Sequence, residues 1–560
     1  MNDFKKLRIG IIVDDTNQPY LVNDLYEKSL KSEYYSIECL IVQKKISIKN
    51  TLTKKLLNFI KTKGFMRLVD RLLFEFIEKL ETYLIKDNNI FKKVFLKYPI
   101  SKFTVQKIYV EPEASPSLLF YRYKDIDIEK IKELNLDLMI RGGSGILKGA
   151  VLDICKLGII SFHHGDNDLN RGGPPGFWEV LNREPSTGFI IQRLTEELDG
   201  GDVIFKGNIA TSFMYKINSC KLYLKSSIFL HKTIEKLSFI DGNMKIYPKI
   251  PYAYPLYKSP KFYESILYLI KTFFLFAKKI VGKVLGFKNL WSVAYQFTND
   301  WKSSVLRKSI IIKNPKNSFL ADPFVTKYND KTVLFVENFN FSSNKGVISA
   351  YQINPEGYKE IGVVIEEKFH LSYPFLIQNE NNLFMIPESS QAKDIRIYKC
   401  MEFPLKWKLH KILINNISAA DTNIIKYNNK YWMFTNIDSS NINDHSSELH
   451  IFYSDDLITT NWKPHVDNPV IFDSKQARNG GMIFSKDNEL FRVFQKQDFD
   501  AYGSSLGIAK IKILTQNQYE EDILINIEPK FFKNIKRTHS FSYNANVLAI
   551  DFVRYEKLDK

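Results

Sequence analysis

The 560 residues exceed what one hydrophobic core usually holds, about 100–200 residues, so the chain should form two or three units. A composition of 44% hydrophobic, 14% aromatic and 25% charged residues excludes a mostly disordered chain. The net charge of +17 is spread as lysine along the sequence. That favours a general pull on anionic partners over a dedicated nucleic-acid arm, so no nucleic-acid partner is expected.

The chain opens with a short apolar run, Ile9 to Val13, read as a buried strand because a secretory h-region would be longer. Cys39, Cys155, Cys220 and Cys400 lie far apart and form no CxxC pair. No metal site or disulfide framework is expected, and a reducing, cytoplasmic location is. Residues 1–215 read as a doubly wound α/β unit: strands at Arg8–Val13 and Ile37–Gln43 flank a helical stretch. An insertion at about 52–96 has helical apolar spacing (Leu68, Leu72, Phe76, Leu80). The sheet resumes at Leu136–Ile140 and runs into a glycine-rich turn, Arg141, Gly142, Gly143, Ser144 and Gly145. A pocket wall there, cradling a cofactor or phosphate, is the functional expectation. A further strand, Gly158–Phe162, ends at His163 and His164 and enters a polar loop holding Asp166, Asn167, Arg171 and Gly172. Loops beyond strand ends are where open α/β sheets place their sites. Gly172 and Gly173 with Pro174 and Pro175 make a side-chain-poor wall that would admit a substrate. Arg171 is a fork-shaped donor for phosphate or carboxylate. An acidic turn some 35 residues on carries Asp199.

Residues 216–290 read as a helical connector. Within it, 264–282 is amphipathic, with apolar and lysine faces, and falls short of the ~20 apolar residues a membrane span needs. Packing across a domain junction is its first expectation and peripheral contact with an anionic membrane the second.

Residues 291–560 change character, with aromatic-rich alternating runs separated by Asn and Asp turns. Four copies of a hairpin start at Asp322, Tyr373, Asp421 and Gly480, 51, 48 and 59 residues apart. A degenerate fifth starts at Thr538, and WSVAYQF (Trp291–Phe297) could close a ring with the C-terminus. A period near 50 with several strands per copy points to an all-β propeller of five blades. Asp322, Glu337, Glu388 and Asp421 take corresponding places in the copies and are candidates to line its cavity. Asp residues capping tight turns are the structural alternative.

The segment 158–202 resembles the formyltransferase family, which includes methionyl-tRNA, glycinamide ribonucleotide and sugar N-formyltransferases. The likeness rests on Gly158-Ile159-Ile160-Ser161-Phe162-His163, Arg171-Gly172, Thr187-Gly188 and Leu198-Asp199-Gly200-Gly201-Asp202. With the upstream segment DLMIRGGSGILKGAVLDICKLG (Asp137–Gly158), which also resembles the family, it covers about a hundred residues. It implies a Rossmann-like domain that transfers a formyl group from a formyl-tetrahydrofolate to an amine. His163 would be the family histidine and Asp199 the family aspartate. Ser161 stands where the family has asparagine, so the oxyanion contact is lost or supplied elsewhere, with His164, Asp166 and Asn167 as candidates. The propeller part resembles five-bladed furanosidase and fructosidase propellers. It also resembles the N-terminal domain of glucosamine inositolphosphorylceramide transferases, found beside glycosyltransferases of sphingolipid glycosylation. The furanosidase acids run Asp, Asp, Glu; here they run Asp322, Glu388, Asp421. These likenesses imply an N-formyltransferase acting on an amino sugar, nucleotide-linked or in polysaccharide synthesis, with a carbohydrate-binding propeller. A degenerate glycan-binding scaffold and a propeller glycosidase remain as alternatives.

Overall fold

The computed structural model describes residues 4–44, 64–116, 119–197, 200–239, 246–328 and 330–557. Two compact units divide between Phe273 and Phe274.

The first unit is built on a seven-stranded sheet: β1 (Leu7–Asp14), β2 (Tyr35–Gln43), β3 (Gln106–Val110), β4 (Leu138–Arg141), β5 (Ile159–His163), β6 (Ser186–Arg193) and β7 (Asp202–Ala210), in the order β7-β6-β5-β4-β1-β2-β3. β1 to β5 run parallel, and β6 and β7 are antiparallel additions. Ile9, Ile11, Ile12 and Val13 in β1, and Leu40, Ile41 and Val42 in β2, are fully buried. Continuous apolar runs are what a sheet covered on both faces requires. The helices are α1 (Tyr20–Ser29), α2 (Phe65–Ile85), α3 (Asp125–Lys132), α4 (Phe177–Asn182), α5 (Tyr215–Ser238) and α6 (Phe262–Val284). α2 is the described part of the expected helical insertion; residues 52–63 of that expectation lie outside the described residues. α5, expected in the connector, is instead a core helix of the first unit. Leu222, Leu224, Phe229 and Ile234 are all but fully buried, and it packs on β6 and α1. β1 and β4 are neighbours although the chain leaves β1 for β2, so the strand order reverses between them, the usual place for a site.

The second unit is all β. Among the described residues it forms five antiparallel sheets, taken here in chain order. The first holds Ser318–Tyr328 to Gly357–Ile365, the second Ser372–Asn379 to Lys406–Asn415, the third Ala419–Tyr427 to Lys463–Pro464 and the fourth Phe484–Lys486 to Tyr519–Ile527. The closing sheet pairs Phe287–Phe297 antiparallel with Val547–Lys557, joining both ends of the unit. Each hairpin copy seen in the sequence supplies the first two strands of one sheet. The sheets meet in a cycle. Tyr373 donates its N–H to Asp322 (3.3 Å), Asn423 its amide to the Tyr373 hydroxyl (2.9 Å) and Asn479 its amide to the Asp421 carbonyl (2.8 Å). Gly481 bridges to Phe541, and Asp322 donates its N–H to Asp551 (3.3 Å). Such a cycle is the architecture of a propeller.

The inner strands carry a shared irregularity. Pairing register breaks at Ala321/Phe324, Ser372/Phe375 and Ala420/Asn423. Within those bulges Asp322, Tyr373 and Asp421 adopt left-handed backbone, φ 49°, 46° and 50°. A bulge re-aims the side chain it holds. In the fourth copy the equivalent position is Gly480, and the positive φ is taken by the next residue, Gly481 (φ 138°), whose ideal Cβ would lie 1.8 Å from the Phe541 carbonyl oxygen. Gly481→Ala should therefore cost at least ~2 kcal/mol in urea unfolding. Gly357→Ala, where a Cβ meets open space, should stay within about 0.5 kcal/mol.

Candidate functional site

In the first unit the expected residues gather at the C-terminal ends of β4 and β5. Arg141 pairs with Ser161, and Ser161 with Gln192 of β6. Partners in adjacent strands share a face, and His163 lies two residues on along the same face. Ser161 is buried, and its hydroxyl donates to the Phe162 carbonyl (3.2 Å), so that proton is spent on the chain's own backbone. His163 Nε2 lies 2.8 Å from the Asn170 carbonyl oxygen. A carbonyl only accepts, so Nε2 carries the proton and Nδ1 is the basic atom of the neutral ring. Burial pulls the Arg141 guanidinium below its ordinary pKa. One of its N–H groups donates to the Gly145 carbonyl, while Nε is buried without a hydrogen-bond partner among the described residues. Asp199 lies outside the described residues.

Three expectations are corrected. The turn at Gly142, Gly143 and Gly145 is not an open cradle. The Asp14 carboxylate accepts the Ser144 N–H and hydroxyl (3.0 Å each), so the protein's own anion occupies that place. Side chains at Gly143 and Gly145 would strike Gln43 and the Tyr121 ring. Gly172 does not present an open wall either: its ideal Cβ would lie 1.9 Å from the Tyr257 carbonyl oxygen. The strap around it is anchored by Tyr257 stacked on Trp178 (4.9 Å) and by Arg171 over the Tyr252 ring (4.6 Å). Nor are two of the substitute oxyanion donors, His164 and Asp166, available. His164 is hydrogen-bonded to Ser226 (3.0 Å), and burial lowers its pKa to about 3, so it stays neutral. Asp166 is ion-paired with Lys206 (2.7 Å), whereas Asn167 is met at its backbone carbonyl, which accepts from Arg171 Nε (2.9 Å), so its side-chain amide stays a candidate. Asn167 and Arg171 do share one cavity of about 350 Å³ with Lys206, Tyr247, Lys249 and Ile190, the strand partner of His163.

In the second unit the four expected carboxylates surround one centre. Asp421 accepts from Arg478 Nε (2.6 Å) and from Gln495 (3.0 Å). Glu388 lies 3.8 Å from the same guanidinium, and Glu337 lies 3.5 Å from His370. Asp322 lies 3.6 Å from His539, whose other nitrogen is 2.6 Å from Asp551. Trp291 stacks on the His539 ring (3.8 Å), and Arg478 lies over Tyr502 (4.8 Å). Burial, offset by His539 and reinforced by Asp421, Asp551 and Glu388, raises Asp322 to about 7. Burial, offset by Arg478 and reinforced by Glu388, raises Asp421 to about 6. Burial also raises Glu337, with Asp322 and Glu388 adding to it. Burial alone would lower His539, but Asp551 and Asp322 outweigh it and leave its pKa raised.

Sequence reasoning missed Arg478, Tyr502, His539 and Asp551. Glu337 and Glu388 sit opposite Ala321 and Ser372 in their hairpins, and Asp551, whose N–H donates to the Ser540 carbonyl, comes from the second strand of the closing hairpin. Its hairpin turn has the same length, Asn544 pairing with Val547 as Tyr328 pairs with Lys331, but Asp551 lies two residues nearer to that turn than Glu337 lies to its own, so the fifteen-residue spacing is not reproduced. Asp322, His539 and Asp551 also place donor atoms within 4.8 Å of one another, although no metal-ligand spacing is evident in the sequence. The short His539–Asp551 contact sets a carboxylate beside the imidazole, which favours its protonated form and accounts for the direction of its pKa shift.

Residues 302–547 match the family described as glucosamine inositolphosphorylceramide transferase 1, N-terminal. The glucosamine inositolphosphorylceramide transferase 1 of Oryza sativa subsp. japonica is 32% identical over 209 residues, 37% of this chain and 28% of that protein. The methionyl-tRNA formyltransferase of Clostridium beijerinckii is 35% identical over 136 residues, 22% of this chain and 43% of that enzyme. Among solved structures, the alpha-L-arabinanase of Cellvibrio cellulosa complexed with arabinohexaose aligns with a TM-score of 0.29 at 13% identity, covering 36% of this chain and 77% of that one. The chain thus spans less than half the length of either curated relative, and likenesses to two kinds of transferase meet in one sequence.

A carboxyl whose pKa is higher folded than unfolded favours folding while protonated. Asp322 and Asp421 should therefore stabilise the second unit below their ordinary value of 3.8, and that contribution should fade as pH rises through about 6 to about 7. Asn tolerates left-handed backbone. Asp322→Asn should accordingly fold and should flatten the decline in thermal midpoint between about pH 4 and about pH 7. An unchanged profile would show that Asp322 does not hold this proton.

Proposed function

We propose that the chain is an N-formyltransferase-like enzyme acting on an amino sugar, nucleotide-linked or part of a polysaccharide precursor. Its propeller, its five sheets read as five blades, holds carbohydrate at the central carboxylates. The observation that carries this reading is the shared face of Arg141, Ser161 and His163 at the strand ends. A formyl-tetrahydrofolate would supply the formyl carbon. An attacking amine must shed a proton, and His163 Nδ1 is the basic atom to receive it. The oxyanion that forms on the formyl carbon needs a donor, and the Ser161 hydroxyl is already committed. The buried, unpartnered Arg141 Nε–H on the adjacent strand is a donor of the required kind, charged and held where little water competes. The acidic centre of the propeller suits sugar hydroxyls and ammonium groups, with Trp291 offering an apolar ring face beside it.

The committed Ser161 hydroxyl also supports a second reading, in which the transferase half is inactive and the protein is a glycan-binding scaffold. A third, hydrolysis in the propeller, draws on the raised Asp322 as proton donor and would be lost in Asp322→Asn.

A screen of folate donors against nucleotide-linked amino sugars, read by product mass, separates these. Formylation should fall by ~10²–10⁴-fold in His163→Ala and by ~10²–10³-fold in Arg141→Met, with sugar binding retained in both. Turnover that survives His163→Ala would sink the first reading. Sugar binding without turnover in any combination would establish the second.

A further inference from the structure

The first unit carries an apolar surface that its own core does not use. α2 and the opening of α6 (Phe262–Phe273) are tied together. The Phe262 N–H donates to Asp70 (2.6 Å), and the Tyr268 hydroxyl donates to the buried Glu81. The inward side of this pair buries Phe74, Ile77 and Tyr268. On the outward side Leu72, Phe76, Leu80 and Tyr83 follow one another at helical spacing along α2 and are 56%, 58%, 41% and 68% exposed. On α6, Leu267, Ile270 and Phe273 form a second stripe, 42%, 47% and 67% exposed. Scattered apolar residues on a surface mean little, but two continuous stripes on adjoining helices mark an interaction face.

The charges around the stripes are sorted. The acids of α2 turn inward or are paired. Glu78 binds Lys216 (2.6 Å) and the Tyr215 hydroxyl, Glu81 accepts the Lys216 N–H (2.8 Å), and Glu75 holds Arg71 (2.7 Å). The lysines stay outside. Lys79, Lys86 and Lys261 are exposed, Lys86 over the Tyr83 ring (4.8 Å) and Lys261 over Tyr263 (5.8 Å). Apolar residues rimmed by cations match the boundary of an anionic bilayer, where the rings enter the headgroup layer and the lysines reach phosphate. A second copy of the chain would fit less well, because a two-fold interface would set these lysines against their own equivalents. No helix of the described residues is long and apolar enough to cross a membrane, so such contact would lie in the membrane plane. We propose that this face of the first unit docks on an anionic lipid surface.

The test is flotation of the full chain with vesicles of phosphatidylcholine alone or mixed with phosphatidylserine. Binding to the mixed vesicles, weak binding to the neutral ones and release by salt are expected. The pairs Phe76→Glu with Tyr83→Glu, and Lys79→Glu with Lys86→Glu, should each weaken binding by roughly tenfold or more. Because all four side chains are exposed, the melting temperature should not change. Failure of the mixed vesicles to bind, or equal binding by the variants, overturns the proposal. So would light scattering that shows a dimer dissociated by Phe76→Glu, which would assign the face to a second copy. The readout is independent of formyl transfer, so either reading can fail without the other.

Discussion

Buried charge that the protein does not fully neutralise is the constraint on which both units turn. A fold can hide an ion only if partners repay its lost hydration. At the centre of the second unit Asp322, Glu337, Glu388, Asp421 and Asp551 gather around the cations Arg478 and His539. Protons make up part of the shortfall, which is why Asp322 rises to about 7 and Asp421 to about 6. In the first unit the sign is reversed: Arg141 keeps a buried N–H that nothing among the described residues receives. Groups left in this condition cost stability, and they concentrate where a ligand completes them.

The propeller reaches this state by distorting its inner strands at the same place in successive copies. Asp322, Tyr373 and Asp421 sit in bulges with left-handed backbone, a conformation that costs about 1–3 kcal/mol for a residue with a side chain. Regular pairing would instead alternate these side chains between the two faces of each sheet. The bulge turns them to the axis, where Tyr373 spans the middle, its N–H on Asp322 and its hydroxyl donating to the Gly481 carbonyl (2.5 Å). The strain is carried by the continuous apolar cores of the sheets, such as the one joining Phe335, Ile348, Phe375, Met385 and Met433.

What could be read from the sequence follows the range of the forces involved. Hairpins are local, so the copies at Asp322, Tyr373, Asp421 and Gly480 appear in the structure as successive sheets, and Trp291–Phe297 lies in the strand that meets the C-terminus. The position of His163 at a strand end was equally legible, because an apolar run followed by a polar loop is a local pattern. Tertiary closure was not. The glycines at 142–145 and at 172 signalled close approach correctly, but the approaching group is the chain itself, Asp14 and Tyr121 in one case and Tyr257 in the other. Nothing in either segment records which backbone or carboxylate will arrive from 80 or more residues away. Asp551 was concealed because it lies two residues nearer to its hairpin turn than Glu337 and Glu388 lie to theirs, and Arg478 lies just before the hairpin pattern of the fourth copy begins.

The opposite signs of the two centres bear on what a shared substrate would have to be. An amino sugar is a cation in solution and a nucleophile only as the free amine. Ionised carboxylates favour the ammonium form, which would suit recognition and suppress attack. A buried arginine disfavours a nearby cation, which suits the deprotonated amine and an oxyanion formed beside it. Binding and transfer of one amine therefore place contradictory electrostatic demands on a single pocket. Under the proposed function, an acidic centre in one unit and a buried arginine in the other would let each demand be met separately.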